Sequence, residues 1–335
     1  MALIIGEKAM SNWSKGWQLI VHSLNVFRAY PSFLVPICFV WIVYASGILY
    51  LRYSYAWHLY GATLDISVVF LFIFAVSFLI LMSFTTVLEM IRQFESDKPS
   101  FGKVVGKVVG KDMFRVLPLA LVWAIIWFVL TLIEALLSKS RKDNSGDDAL
   151  TAQNAAITLA NYRSFSFSEA FVEALQKGVR MVMFLILPAI AWENLGVFKA
   201  TKKGLAVLRA HLGLFGSGYA LTYAAAAVAF LPVAIIFELG TRHHGNPPLV
   251  SFPDYVWVAT IIYMGFAWSL SMYLEQMFMA QLYLWHLKWE SETAKAIKEG
   301  KPPPVFNSVL RPELLRKTPG LFSDEEEGSS AVNHA

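Results

Sequence analysis

Four charged side chains lie within one otherwise apolar stretch of the chain: Glu169, Glu173, Lys177 and Arg180. Their spacings of four, four and three residues place them on one face of a helix. An ionised side chain at the centre of a bilayer costs about 2.5 to 3.5 kcal/mol on insertion scales, and such groups generally face a bundle interior or a wet cavity. The pattern therefore predicts a polar path, inside one bundle or between subunits.

The apolar run that follows these charges leaves a second interpretation open. Residues 181 to 192 extend only about 18 Å as a helix, at about 1.5 Å per residue, whereas the hydrocarbon core is about 30 Å thick. In the second interpretation, residues 166 to 180 form an amphipathic helix outside the membrane, and a short tilted span follows it. Both interpretations require a membrane protein.

The composition indicates such a protein. Of 335 residues, 56% are hydrophobic and 16% are charged, whereas soluble domains have about 45 to 50% apolar and about 25% charged residues. Six stretches are long and apolar enough to form transmembrane helices. They run from Phe33 to Leu51, Ile66 to Ile91, Val116 to Leu137, Phe171 to Trp192, Leu214 to Phe237, and Tyr255 to Trp285.

Lysine and arginine near the ends of these spans predict the orientation. They are concentrated before span one, between spans two and three, between spans four and five, and after span six. These segments, including both termini, are therefore expected in the cytoplasm. The segment from 138 to 164 also contains basic residues, but the other connections place it outside.

Three of the basic segments read as amphipathic helices in the headgroup plane. They are GWQLIVHSLNVFRAY, the repeat GKVVGKVVGK at 102 to 111, and NLGVFKATKKGLAVLRAHL. In the repeat, valines are expected on the face opposite to the basic residues. The repeat is expected either to anchor the chain by its positive charge or, with the third segment, to bind anionic lipid. The basic residues concerned are Lys103, Lys107, Lys111, Arg115, Lys199, Lys202 and Lys203.

Two stripes of small residues recur every four positions, a spacing that lets helices approach closely. They are Gly102, Gly106 and Gly110 in the repeat, and Gly216, Ala220 and Ala224 in span five. The stripes predict close helix packing within a subunit or between subunits, and we expect a homo-oligomer.

The chain divides into a membrane domain, residues 1 to 289, and a polar tail, residues 290 to 335, which is expected to be flexible or loosely docked. Five glutamates near the ends of spans two to six are expected to be interfacial and hydrated. They are Glu89, Glu134, Glu193, Glu238 and Glu275.

Signatures of enzymes, metal sites and dinucleotide sites were not found in the sequence, and the one cysteine, Cys38, lies in span one. We therefore expect a protein that is not an enzyme and has no cofactor or metal. The net charge of +4 is accounted for by the basic loops, so no nucleic-acid partner is expected.

Three segments carry a resemblance to a known family: GWQLIVHSLNVFRAYPSFLVPI, PAIAWENLGVFKATKKGLAVLR and YLEQMFMAQLYLWH. They resemble a family of uncharacterised six-span bacterial membrane proteins, itself distantly similar to the membrane domain found with glycerophosphodiester phosphodiesterases. The matching motif is Pro188, Glu193 and Gly196 before an amphipathic helix. The chain departs from the family at Gly204, where Ser is usual, and in its charged fourth span. The resemblance implies this topology and a bacterial plasma membrane.

The sequence thus predicts an all-α, polytopic six-helix transmembrane bundle with three amphipathic interfacial helices. The leading functional hypothesis is a homo-oligomeric pore or transport assembly with a polar path along span four. The alternative is a membrane-organising or partner-binding protein that holds anionic lipid.

Overall fold

The computed structural model describes residues 2–57, 59, 61–95, 101–142, 167–240 and 250–310. Over this part of the chain the protein is helical and contains no strand. Six of the helices are long and apolar enough to cross a membrane. The predicted all-α polytopic bundle is confirmed, and the chain is a multi-pass membrane protein.

Nine α-helices are described, numbered here in chain order. They are α1 (Ala2–Ala29), α2 (Val35–Tyr53), α3 (Ala62–Glu95), α4 (Phe101–Lys107), α5 (Met113–Lys142), α6 (Phe167–Ala191), α7 (Val197–Ala210), α8 (Leu212–Gly240) and α9 (Asp254–Lys298). The candidate spans lie in α2, α3, α5, α6, α8 and α9.

Helix α6 is the most buried of the six spans. It packs against α3, α5 and α9, and the short helix α7 packs back onto it. At Gly204 of α7, an added Cβ would lie only 2.8 Å from Ile186 Cγ1 and 3.2 Å from Ile186 Cα. The departure from the family's usual serine thus lies at a close approach of α7 to α6.

Two of the predicted amphipathic helices, α1 and α7, are separate helices that flank spans. Helix α1 packs against α8 and α9; Gln281 Nε2 donates to Ser23 Oγ at 2.7 Å, and the Tyr273 hydroxyl donates to the Ser23 carbonyl at 3.2 Å. The apolar face of α1 is therefore packed against the bundle along this stretch. Its position in the headgroup plane stays a prediction.

The glycine-lysine repeat differs from the prediction in two respects. It is continuous with span three through a π-helical turn, Val108–Asp112, in which the Met113 N–H bonds the Val108 carbonyl. Only one of its two valine stripes is buried, that of Val104 and Val108. Val105 and Val109 are exposed, which is compatible with lipid because acyl chains are as apolar as a protein core.

Helix α9 continues past residue 289 to Lys298, and the chain that follows folds back on it. Trp289 Nε1 donates to the Pro304 carbonyl at 2.9 Å, and Trp285 Nε1 donates to the Val309 carbonyl at 3.1 Å. The first part of the predicted tail is therefore docked. Its flexibility stays a prediction for residues 311–335, which lie outside the described residues.

Candidate functional site

Two cations of α6 bind one carboxylate of α9. Arg180 Nε donates to Glu275 Oε2 at 2.8 Å, and Arg180 Nη2 donates to Glu275 Oε1 at 3.0 Å. Lys177 Nζ lies 3.2 Å from the same Oε1. Because Lys177 and Arg180 are three residues apart, both project from one face of α6 towards α9. We call these three residues the buried ion cluster.

Two members of the buried ion cluster are removed from solvent, and the third is partly exposed. The side chain of Glu275 is 1% exposed, that of Lys177 is 6% exposed and that of Arg180 is 25% exposed. Two aromatic rings of α8 also face Lys177 Nζ, which lies 5.1 Å from the Tyr219 ring centroid and 5.2 Å from that of Tyr223. Pairing and cation–π contacts offset the cost of burying these charges.

A cavity of about 90 Å³ adjoins the buried ion cluster. Arg180 and Gln176 are among its polar lining residues, and its walls are otherwise largely apolar, both aliphatic and aromatic. The aromatic lining residues are Tyr44, Trp123, Trp127 and Trp268. A cavity of this size can hold several waters or one small solute group.

The cavity lies at mid-depth in the bundle. Tyr44 is the middle residue of α2, and Val76 and Ile80, which also line the cavity, flank the middle of α3. The cavity and Arg180 therefore lie near the middle of these helices rather than at their ends. In a helix that crosses a bilayer, ionisable groups are most costly near the middle and generally have a functional role there.

The structure brings together half of the predicted polar path. Lys177 and Arg180 lie in the buried ion cluster, whereas the side chains of Glu169 and Glu173 lie outside the described residues. Helix α6 is unbroken from Phe167 to Ala191. Residues 167 to 180 and the apolar run that follows them therefore form one helix. The position of residues 166 to 180, inside the membrane or outside it, stays a prediction.

The prediction that Glu275 is a hydrated residue near the end of a span is wrong. The residue is 1% exposed and lies inside α9, ten residues before the predicted end of span six. A signal was available, because residues 271 to 279 contain no lysine or arginine. A glutamate without a cation within one helical turn, in an apolar span, indicates a partner on another helix.

A second polar network surrounds Glu193 at the end of the bundle where α6 ends and α8 begins. Lys203 Nζ lies 2.6 Å from Glu193 Oε2 and 3.3 Å from Glu290 Oε2, and the Tyr283 hydroxyl donates to Glu193 Oε1. Burial alone would lower the pKa of Lys203, but the two carboxylates outweigh it and raise this pKa. The predicted hydrated position of Glu193 is therefore an ion-paired one.

A histidine pair extends this network towards the docked chain. His211 Nε2 lies 2.9 Å from His286 Nδ1, and His286 Nε2 lies 3.1 Å from Glu290 Oε1. The ring of Phe306 covers His211, with centroids 3.8 Å apart. Burial, together with the nearby charge of His286, lowers the pKa of His211 to about 4.

This depressed pKa predicts a loss of stability in acid. His211 is neutral in the folded chain, whereas the unfolded chain takes up a proton at about pH 6.5. The stabilising contribution is therefore complete above about pH 6.5 and is lost as the pH falls towards about 4. We expect His211→Gln to flatten the decline of Tm between these values by about 2 to 4 °C, measured in detergent. An unchanged pH profile would contradict the assignment.

The predicted lipid-binding lysines and arginine divide into two groups. Lys107 Nζ lies 2.6 Å from Glu89 Oε2, Arg115 Nη1 donates to Asn194 Oδ1 at 3.1 Å, and Lys203 belongs to the Glu193 network. Three residues are exposed: Lys111, Lys199 and Lys202. The side chain of Lys103 lies outside the described residues.

The small-residue stripes do not mark close packing between the described parts of the chain. Among the described residues, a Cβ added at Gly102, Gly106, Gly110 or Gly216 would meet nothing within 4 Å. Ala220 is half-buried and Ala224 is exposed. Contact of these stripes with another subunit stays a prediction. Within the chain, Gly218 is a position of close approach, and its added Cβ would overlap the Phe278 ring.

Comparisons with family models, with curated proteins and with solved structures find no match to this chain. The resemblance to the six-span bacterial family therefore stays a prediction. Among the residues that the structure describes, no group of three or more potential ligand side chains is arranged to hold a metal.

Proposed function

We propose that this chain is a transport protein of a bacterial plasma membrane that binds a small anionic solute beside Arg180. The observation that carries the proposal is the buried ion cluster at mid-depth, next to a cavity that Arg180 itself lines. Transporters commonly place substrate sites near the bilayer midplane. Charged groups there are costly and generally serve a pathway.

The geometry supports an exchange of partners during binding. Glu275 is held by both Arg180 and Lys177. A solute carboxylate or similar anion can take over the guanidinium fork, because Glu275 keeps the Lys177 ammonium as its counter-ion. The planar fork suits a bidentate anion. The aromatic walls suit a solute with a short apolar body.

Proteoliposome uptake of labelled small anions tests the proposal. We expect Arg180→Gln to lower uptake at least about tenfold, the effect of losing about 1.4 kcal/mol of binding. Arg180→Lys keeps the charge but loses the guanidinium fork, so its uptake is expected to lie between that of Arg180→Gln and that of the wild type. Arg209→Gln, on the exposed face of α7, is the matched control and should transport as the wild type does. Equal uptake by Arg180→Gln and the wild type would contradict the proposal.

Self-association belongs to the same proposal. Helix α8 is the least buried of the six spans, and Val228 and Leu231 on it are 71% and 56% exposed. This surface supports either lipid contact or a contact between subunits beside the Gly216 stripe. Light scattering in detergent distinguishes lipid contact from subunit contact by the mass of the particle. The proposal expects the mass of a closed homo-oligomer, and the mass of a monomer would favour lipid contact.

A second candidate function, the holding of anionic lipid, is favoured by the outer face of α7. Phe198 is 93% exposed, and Lys199 and Lys202 beside it are also exposed. A protruding aromatic side chain among lysines is typical of a helix in the headgroup plane. The opposite face is anchored by Ala200 and Val207, which are buried.

Lipid binding in detergent tests this second candidate. We expect the double variant Lys199→Gln, Lys202→Gln to weaken binding of a fluorescent anionic lipid about 30-fold, since each lysine near such a surface contributes about 1 kcal/mol. The matched control is the double variant Lys295→Gln, Lys298→Gln. It removes two exposed charges from the C-terminal end of α9. Equal losses in both double variants would show that only net charge matters.

A further inference from the structure

Asp112 is a buried acid for which the structure provides no hydrogen-bond partner. Its residue is 0% exposed. Neither of its carboxylate oxygens has a hydrogen-bond partner among the described residues. A buried ionised carboxylate without a partner is strongly disfavoured, and such a group normally becomes neutral by taking up a proton.

The position of Asp112 in the backbone is also unusual. It is the last residue of the π-helical turn Val108–Asp112, which interrupts the helix between α4 and α5. Single π-turns inside α-helices occur frequently at functional sites. The turn packs against α3, so Asp112 lies at a contact between two spans.

Four of the charged groups around Asp112 are engaged elsewhere or exposed. Those that act on it electrostatically are Glu89 of α3, Lys107 of α4, Lys111 of the turn and Arg115 of α5. Lys107 is bound to Glu89 at 2.6 Å, and Arg115 donates to Asn194. Lys111 is exposed. A fifth group, Arg92, lies less than one helical turn beyond Glu89 on α3 and has a buried Nη1 without a partner among the described residues.

We propose that Asp112 is a proton-binding site that acts on the Glu89–Lys107 ion pair. With the proton bound, Asp112 is neutral and Lys107 stays on Glu89. When the proton leaves to solvent, the Asp112 carboxylate competes with Glu89 for the Lys107 ammonium. The competition loosens the contact between α4 and α3. The proposal does not depend on the transport proposal, because it concerns only proton uptake.

Infrared spectroscopy of the purified protein tests proton uptake directly. We expect the wild type at neutral pH to show the absorption of a protonated carboxylic acid, and Asp112→Asn to lack that band. If the band is absent from the wild type, or unchanged in Asp112→Asn, the proposal is overturned.

Thermal unfolding in detergent gives a second readout whose sign follows from linkage. A folded chain that holds a proton which the unfolded chain releases loses stability as the pH rises. Asparagine imitates the protonated acid at every pH. We therefore expect Asp112→Asn to match the Tm of the wild type only near the ordinary aspartate pKa of about 3.9. Its advantage should grow as the pH rises, to at least about 4 °C near pH 8.

Asp65→Asn is the matched control for removing a buried carboxylate. Asp65 is 1% exposed, but it accepts a hydrogen bond from the Tyr55 hydroxyl at 3.0 Å. It also lies in the first turn of α3, where a negative charge is stabilising. We expect this variant to lower Tm near pH 8. If Asp112→Asn lowers Tm there as well, Asp112 is an ionised partner of Lys107 or Arg92, and the proposal fails.

Discussion

Glu275→Gln is expected to destabilise the protein by about 3 to 5 kcal/mol, the usual effect of removing one partner from a buried ion pair. The glutamine side chain has a similar shape but leaves Lys177 and Arg180 without the carboxylate that now lies 3.2 Å and 2.8 Å from them. Two cations then face each other in the bundle. A lower Tm in detergent and a lower yield of folded protein from membranes measure the effect.

The control for this prediction is Glu299→Gln, which neutralises an exposed glutamate that lies 2.7 Å from exposed Lys301. It should change Tm little, because exposed ion pairs contribute about 0 to 1 kcal/mol. A triple variant, Lys177→Met, Arg180→Met, Glu275→Leu, separates the effect of unpaired charge from that of lost packing. It removes the charges of the whole cluster together with their desolvation cost. Such a replacement is often neutral or stabilising. If Glu275→Gln is as stable as the wild type, the cluster does not hold these helices together.

Gly218→Ala has the second largest expected effect. The Cβ of alanine would overlap the Phe278 ring of α9, and Phe278 is fully buried. Forcing an extra carbon into a packed contact costs about 1 to 3 kcal/mol, so we expect a clear fall in Tm. Gly216→Ala lies two residues away on the same helix, and its Cβ would meet no described residue within 4 Å.

Comparison of Gly218→Ala with Gly216→Ala therefore separates the effect of packing on Tm from the effect of helix propensity. Alanine in a helix is more favourable than glycine by about 0.5 to 1 kcal/mol, so Gly216→Ala should be neutral or slightly stabilising. Equal effects at both positions would contradict the close approach of α8 to α9. A selective loss of oligomer in Gly216→Ala would place the predicted small-residue stripe between subunits.

The spans were predictable because a hydrocarbon core imposes length and apolarity on every segment that crosses it. The charges of span four were also found, because spacings of four, four and three residues fix a helix face whatever surrounds it. Lys177 and Arg180 are accordingly in the site. Their partner was missed, because pairing between residues 95 positions apart depends on how α6 and α9 pack.

The glycine-lysine repeat shows a second limit of sequence patterns. Its period indicated a helix correctly, but one valine stripe faces protein while Val105 and Val109 are exposed. Lipid and protein core are both apolar, so composition does not distinguish them. No pattern of residue types in the sequence indicates the π-turn in which Asp112 lies. Lys107 was predicted to bind anionic lipid, whereas it pairs with Glu89.

Anion uptake by the compensated triple variant, Lys177→Met, Arg180→Met, Glu275→Leu, tests the central claim most directly, because its fold is expected to survive without the charges. We predict that the reconstituted wild type accumulates a small labelled carboxylate, and that the triple variant, with a comparable Tm and the same oligomeric size, accumulates no more than empty vesicles. Uptake by the folded triple variant equal to that of the wild type would contradict the claim that the solute binds at Arg180.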